Sequence, residues 1–340
     1  MTRRLQAVRD PKLEARVIER LAMVYEDGPS DEEDRPPHVR AASGLSVFRE
    51  YLAVIQDDAN WLALIDSEQR VLAVPLPPGP SGARTFSSER GNQDDKYDLE
   101  ACITVPGKGG LELIGFSSGS RAGREWILRV CEDSASPDPN DLKAEFIEAN
   151  RFYEALRSNT DFCGSGLNVE GAVAIDQERI MLFQRGNAEP CGGLEPVDST
   201  AEISWPALAA HLADPEGVAP PPLENVTAYD LGSLDGVRLT FSDAEHLGGG
   251  RILYSASAED SESDRIAGSV LGVIEPHGRV CWTELTDQDG TAFRGKIEGL
   301  TRDVHDSSKM HFVIDDDDAE VPSEIYAAIL SERFFSAAAG

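Results

Sequence analysis

Five stretches of this chain share one phrase, an apolar run that stops at a small polar or charged cluster. They are YLAVIQDD (51–58), LELIGFSSGS (111–120), RIMLFQRGN (179–187), RILYSASAED (251–260) and KMHFVIDDDD (309–318). Their polar ends fall near residues 57, 118, 186, 259 and 316. A second apolar run precedes each: GLSVF (44–48), LEACITV (99–105), NVEGAVAI (168–175), VRLTF (237–241) and KIEGLTRDV (296–304). A third follows each, from NWLALID (60–66) to SEIYAAIL (323–330), and RVLAVPL (70–76), NVTAYDL (225–231) and RVCWTEL (279–285) supply a fourth. Short β-branched and aromatic runs punctuated by Gly, Pro, Asp and Ser read as strands. A small antiparallel sheet cannot bury both faces alone, so repeated sheets of three or four strands must stack on one another around an axis.

The expected fold is therefore all-β: a single β-propeller over residues 1–340 with five blades. A sixth blade is the alternative if residues 191–235 form a further small sheet. Blades are expected over about 43–76, 97–160, 166–232, 236–286 and 295–335. The last repeat lacks a fourth strand, and VIERLAMVY (17–25) is expected to fill that place and close the ring, which removes a free edge. DLKAEFIEANRFYEALRSN (141–159) has Leu142, Phe146, Ile147, Phe152 and Leu156 at helical spacing, so one amphipathic helix is expected there.

In a propeller the first strand of each blade lines the axial channel, and side chains two apart share a face. Three first strands carry Glu at an equivalent point: Glu100, Glu170 and Glu298. Asp98, Asn168 and Lys296 stand two residues earlier. Oxygen donors of this kind suit Ca²⁺ or Mg²⁺ rather than zinc. Pairing with Lys96, Lys296, Arg121 or Arg185 is the other way to relieve converging like charges, and the sequence leaves both open. The polar ends of the second strands form another candidate ring: Asp57 and Asp58, Ser118 and Ser120, Arg185 and Asn187, Glu259 and Asp260, and Asp315 to Asp318. From this ring Asp316 is a candidate metal ligand. Asp57, Ser118, Arg121, Arg185, Asn187 and Glu259 are candidate ligand-binding residues, with Arg185 or Arg121 clamping an oxyanion.

Several classes are set aside. GFSSG (115–119) matches a nucleophile elbow in letters only, because a strand and not a helix follows it. The six histidines lack zinc spacing. An excess of thirty negative charges opposes binding to nucleic acid or anionic membrane, and leaves a small oxyanionic molecule held through a cation, or a basic protein surface, as partners. Five widely spaced cysteines without a C-x-x-C pair, no secretion signal and no long apolar segment lead to the expectation of a soluble cytoplasmic protein.

NVEGAVAIDQERIMLFQRGN, KIEGL and VIDDDDAEVPSEI, together with KYDLEA, GSR and SASAEDSESD, resemble an uncharacterised family of bacterial β-propeller proteins. The likeness spans most of residues 43–330. That family is distantly similar to phytase-like esterase propellers with a central cation. The resemblance implies, by analogy, a metal-dependent phosphoesterase or lactonase-like hydrolase, with a non-catalytic ligand- or protein-binding propeller as the alternative.

Overall fold

The computed structural model describes residues 3–131, 138–260, 265–315 and 318–336. It is all-β and propeller-like. The N-terminal segment forms β1 (Arg3–Arg9) and β2 (Ala15–Ala22). Five antiparallel units follow. The first is β3 (Ala42–Phe48), β4 (Tyr51–Gln56), β5 (Trp61–Ile65) and β6 (Val71–Pro75). The second is β7 (Leu99–Pro106), β8 (Leu111–Ser117), β9 (Trp126–Cys131) and β10 (Lys143–Glu148). Helices α1 (Asn150–Ser158) and α2 (Thr160–Cys163) lead to the third unit. It comprises β11 (Val169–Ala174), β12 (Arg179–Gln184), β13 (Asp198–Ser204) and, after α3 (Trp205–Ala213), β14 (Glu224–Asp230). A short β15 (Ser233–Leu234) opens the fourth, which continues through β16 (Val237–Gly248), β17 (Arg251–Asp260), β18 (Arg265–Ile274) and β19 (Val280–Thr286). The fifth is β20 (Ile297–Arg302), β21 (Lys309–Ile314) and β22 (Glu324–Leu330), with β2 antiparallel on the outer side of β22.

Alternation along each strand explains how the units stack. In β4, Val54 turns to one face and Ala53 and Ile55 to the other. Val54 joins a core cluster with Val313 and Ile325 of the fifth unit, whereas Ala53 and Ile55 join Leu113, Leu128 and Val130 of the second. The remaining clusters repeat this, lying between units two and three, three and four, and four and five. The first strands complete the pattern: β3 packs beside β7, β7 beside β11, β11 beside β16, β16 beside β20, and β20 beside β3.

Each first strand carries a β-bulge at the same place. The register against the second strand slips at Ala42/Gly44, Leu99/Ala101, Val169/Gly171, Phe241/Asp243 and Ile297/Gly299. The extra residues are therefore Ser43, Glu100, Glu170, Ser242 and Glu298, and a bulge re-aims the side chain it adds. The next residue is glycine in three units because the strands meet there. A Cβ on Gly299 would stand 2.6 Å from the Leu45 nitrogen, and one on Gly171 3.2 Å from Asp243 Cα.

Two expectations need correction. The helix foreseen over 141–159 begins only at Asn150; Lys143–Glu148 is instead the fourth strand of its unit, with Phe146 opposite Leu128. Leu142, Phe146 and Ile147 fit a helical period, but Ala144 and Phe146 also fit a period of two, and the unpaired edge of β9 decides between them. The strand foreseen at 17–25 runs from Ala15 to Ala22, and Val24 and Tyr25 instead bridge to His38 and Val71. Within residues 191–235, β13, α3 and β14 belong to the third unit and β15 pairs with β16 of the fourth. No helix among the described residues is long and apolar enough to cross a membrane.

Gly299→Ala is expected to cost about 1–3 kcal/mol of stability, read as a lower urea midpoint at an unchanged slope, since it overpacks two backbones. Gly109→Ala, where a Cβ meets nothing within 4 Å, should stay within about 0.5 kcal/mol of the parent. Equal midpoints for the two variants would remove close strand approach as the reason for glycine here.

Candidate functional site

The bulges bring Glu100, Glu170 and Glu298 to one end of the first strands, and the polar ends of the second strands meet them there. The charges of Glu170 and Glu298 both act on Glu100. Six carboxylates (Asp57, Asp98, Glu100, Glu170, Glu259, Glu298) gather with four cations (Lys96, Arg124, Arg185, Lys296), and Asp58, paired with Arg40 at 2.8 Å, adjoins them within reach of the Lys96 charge.

On one side of this mouth, Lys96 Nζ bridges Asp57 Oδ2 and Asp98 Oδ1, the latter at 3.1 Å. Arg124 meets Asp98 Oδ2 at 2.8 Å, and the Ser118 hydroxyl donates to the same oxygen. On the other side, Arg185 contacts Glu170 Oε1 at 3.3 Å and Glu259 Oε2 at 2.6 Å, and its Nε donates to Thr240. Lys296 contacts Glu298 at 2.7 Å and Glu259 at 3.4 Å. Asn168 donates to Glu170 Oε1 at 2.7 Å and to Asn187 Oδ1 at 3.2 Å.

Glu100 stands apart. It is half-buried, yet among the described residues it accepts no hydrogen bond and forms no ion pair. Its oxygen lies within 4.8 Å of oxygens of Asp57 and Asp98. Asp57 Oδ1 and the hydroxyl of Ser43, the bulge residue of the first unit, are both buried without a partner. Buried polar atoms normally find one, and an orphaned Asp57 oxygen beside the free Glu100 carboxylate marks a place for a cation or a proton.

The protonation equilibria follow. Burial, then the charges of Asp57, Glu170, Asp98 and Glu298, push Glu100 well above the ordinary carboxylate range. Burial and the Asp98 charge push Asp57 up to about 8 against the pull of Lys96. Burial pushes Glu170 up to about 7, with Arg185 opposing. Burial acts on Asp98 and Glu259 too, but Lys96, Ser118 and Arg124 hold the first below its usual range, and Lys296 and Arg185 the second.

Most residues picked from the sequence meet at this mouth. Arg121 does not: it pairs with Asp94 at 2.9 Å on the exposed surface, and Arg124, three residues on, takes the inward place. The turn at Gly119 and Gly123 decides which arginine points in, and no spacing rule reveals that. Asp316, with Asp317, lies outside the described residues. Asp315 accepts from the Ser323 hydroxyl at 3.0 Å. Ser117 of GFSSG is buried, with its hydroxyl donated to the Tyr97 carbonyl. An alignment of acids alone does not reveal Ser43 and Ser242, the two bulge residues that are not Glu; Ser-Gly at 43–44 against Glu-Gly at 170–171 and 298–299 is the signal the sequence holds for the first.

Without divalent ions, the thermal midpoint is expected to fall between about pH 5 and pH 8. A carboxyl whose folded pKa exceeds its unfolded value of about 4 stabilises the fold below that value and loses the contribution as pH rises through the folded pKa. For Glu170 and Asp57 the loss runs up to about 7 and about 8. Glu100→Gln removes one repelling charge and should raise the midpoint at pH 8 and flatten the slope. A midpoint that rises over this window in EDTA contradicts the account.

The solved structures similar to this chain include a gluconolactonase from Xanthomonas campestris, 10% identical over 95% of this chain and 97% of that one, TM-score 0.41. A streptogramin B lyase is 10% identical over 94% and 98%, TM-score 0.37. A GH43 β-1,3-galactosidase is 9% identical over 90% and 58%, TM-score 0.49. Likenesses this distant carry no activity across. No curated protein matches. The model of the family of unknown function DUF6929 matches residues 38–330, and this chain belongs to that family.

Proposed function

We propose that the chain is a five-bladed β-propeller, closed by Ala15–Ala22, whose acidic mouth binds a divalent cation and through it a small oxyanionic ester or lactone for hydrolysis. The observation that carries the reading is the free carboxylate of Glu100 beside the orphaned Asp57 Oδ1. An all-oxygen set fits Ca²⁺ or Mg²⁺. Fully ionised, the six carboxylates would exceed the four cations by two charges, an excess that either protons on groups such as Glu100 and Asp57 or one divalent ion makes good.

Glu100, Asp57 and Asp98 would hold the ion, with Lys96 giving way on the Asp57 side. An ion held by these three residues would draw its remaining oxygen ligands from water or from an oxyanion. The bound cation supplies Lewis-acid polarisation of a substrate oxygen. Lys96 and Arg124 keep Asp98 ionised. Glu170 can take or return a proton at Oε2, the oxygen that neither Asn168 nor Arg185 engages. Arg185, spent on Glu170 and Glu259, orients Glu170 rather than clamping substrate.

A second reading has its own support. Lys96, Arg124, Arg185 and Lys296 already pair with five of the six acids, as a mouth serving cohesion alone would require. On that reading the propeller is a binding module whose acidic surface recruits a basic protein.

Melting in EDTA and then in millimolar Ca²⁺ or Mg²⁺ separates them. At a hundred times Kd, ligand adds about 2.7 kcal/mol, worth several degrees in a chain of this length. Glu100→Gln should abolish the shift, and hydrolysis of a panel of lactones, aryl esters and phosphomonoesters should require the same ion. A shift without hydrolysis favours the binding module; no shift with either ion retires the cation.

A further inference from the structure

The first strands continue past the acidic mouth and end in a second opening of different character. Beyond the narrow layer at Gly44, Ala101, Gly171, Asp243 and Gly299, their C-terminal halves line a cavity of about 590 Å³. Residues two to four places beyond the bulges form its wall, about 7–13 Å along the strand from the acidic ring. The volume falls within the range of small-molecule pockets.

The acids in this wall are saturated. Glu245 Oε1 accepts from the His246 amide at 2.7 Å, and Oε2 accepts from the Thr301 hydroxyl at 2.8 Å and the Arg302 amide at 3.3 Å. Asp303 Oδ1 accepts the amides of His305 and Asp306 at 2.8 Å each, and Oδ2 meets His311 Nε2 at 2.8 Å. Arg302 is the reverse case. Its guanidinium lies over the Phe335 ring at 5.5 Å and, among the described residues, makes no ion pair and donates no hydrogen bond. The Arg302 charge acts on the Glu245 carboxylate of the same wall without pairing with it, so in a chain with thirty excess negative charges its five donors stay open to whatever enters the cavity.

The neighbouring first strand, β3, offers an acceptor beside Arg302. Thr104 donates its hydroxyl to the Val47 carbonyl at 2.7 Å, so the Ser46 hydroxyl, 3.1 Å away, donates to Thr104 and keeps its lone pairs free. A ligand matching both strands carries an oxyanion and at least one hydroxyl.

We propose that this cavity binds a small hydroxylated oxyanion, a phosphate monoester or a carboxylate, with Arg302 as the charge clamp and Ser46 as an acceptor for its hydroxyl. The site is separate from the acidic mouth and needs no cation.

Glycerol 3-phosphate and glycerate distinguish the two oxyanions; glycerol and sodium chloride at matched concentration are the controls. Melting and calorimetric titration are run in EDTA, so an absent metal has no bearing on the result. One of the two acids should raise the midpoint by a few degrees at tenfold excess over Kd. Arg302→Gln should weaken its binding at least tenfold, Arg302→Lys should recover part of it, and Glu100→Gln should leave it unchanged. The proposal is overturned if neither acid shifts the midpoint, if the shift survives Arg302→Gln, or if Glu100→Gln removes it.

Discussion

The spacing between first strands governs this molecule. Five strands converge on one layer, where four of them carry only Gly or Ala and the fourth unit carries Asp243, whose carboxylate accepts the Leu300 amide of the neighbouring strand. At Gly299 a Cβ would press on the Gly44 and Leu45 backbones, and Gly171 faces Asp243 in the same layer. A strand that approaches its neighbours this closely cannot keep plain alternation, because a large side chain would fall on the axis. The bulge resolves this by inserting one residue just before the tight layer and turning its side chain to the mouth. Packing and chemistry thus share a cause: the insertion that lets the sheets stack also projects Glu100, Glu170 and Glu298 toward one another.

That convergence has an electrostatic cost, and the fold meets most of it internally. Lys296 stands two residues before its own glutamate, Lys96 precedes Asp98, and Arg185 and Arg124 arrive from loops following second strands. Each cation bridges two acids or reinforces a bridge, so Asp98 and Glu259 remain charged although largely enclosed. Compensation stops short of Glu100. The asymmetry is local, confined to the side formed by the first two units, where Asp57 and Ser43 also keep unsatisfied atoms. The far end has the opposite character, with Glu245 and Asp303 bonded to backbone amides, Thr301 and His311, and Arg302 in no ion pair among the described residues.

The strand phrases were legible because period-two burial and turn residues are local properties, and the equivalence of Glu100, Glu170 and Glu298 followed from aligning them. Three things were hidden. The strand Lys143–Glu148 read as helix because its apolar spacing fits both periods and only the open edge of Trp126–Cys131 chooses. Arg124 was passed over for Arg121 because inward direction depends on the turn at 119–123. The Glu245–Thr301–Arg302 arrangement joins residues of adjacent units and has no signature within either segment. Local pattern reveals which residues occupy a ring, and three-dimensional packing decides which remain unpaired.

The first forty residues hold a further consequence. Arg3–Gln6 runs parallel to Thr227–Asp230, Ala7–Arg9 to Val280–Trp282, and Ala15–Ala22 antiparallel to Glu324–Leu330, while Glu26 donates to the Val71 carbonyl and the Trp61 indole to the Asp34 carbonyl. This belt touches four of the five units and precedes the segment shared with the family. Ala15 pairs with Leu330, so the pairings of this belt span most of the sequence. Contacts between residues so far apart carry a large loop-closure entropy, which the belt meets with backbone hydrogen bonds to several units at once.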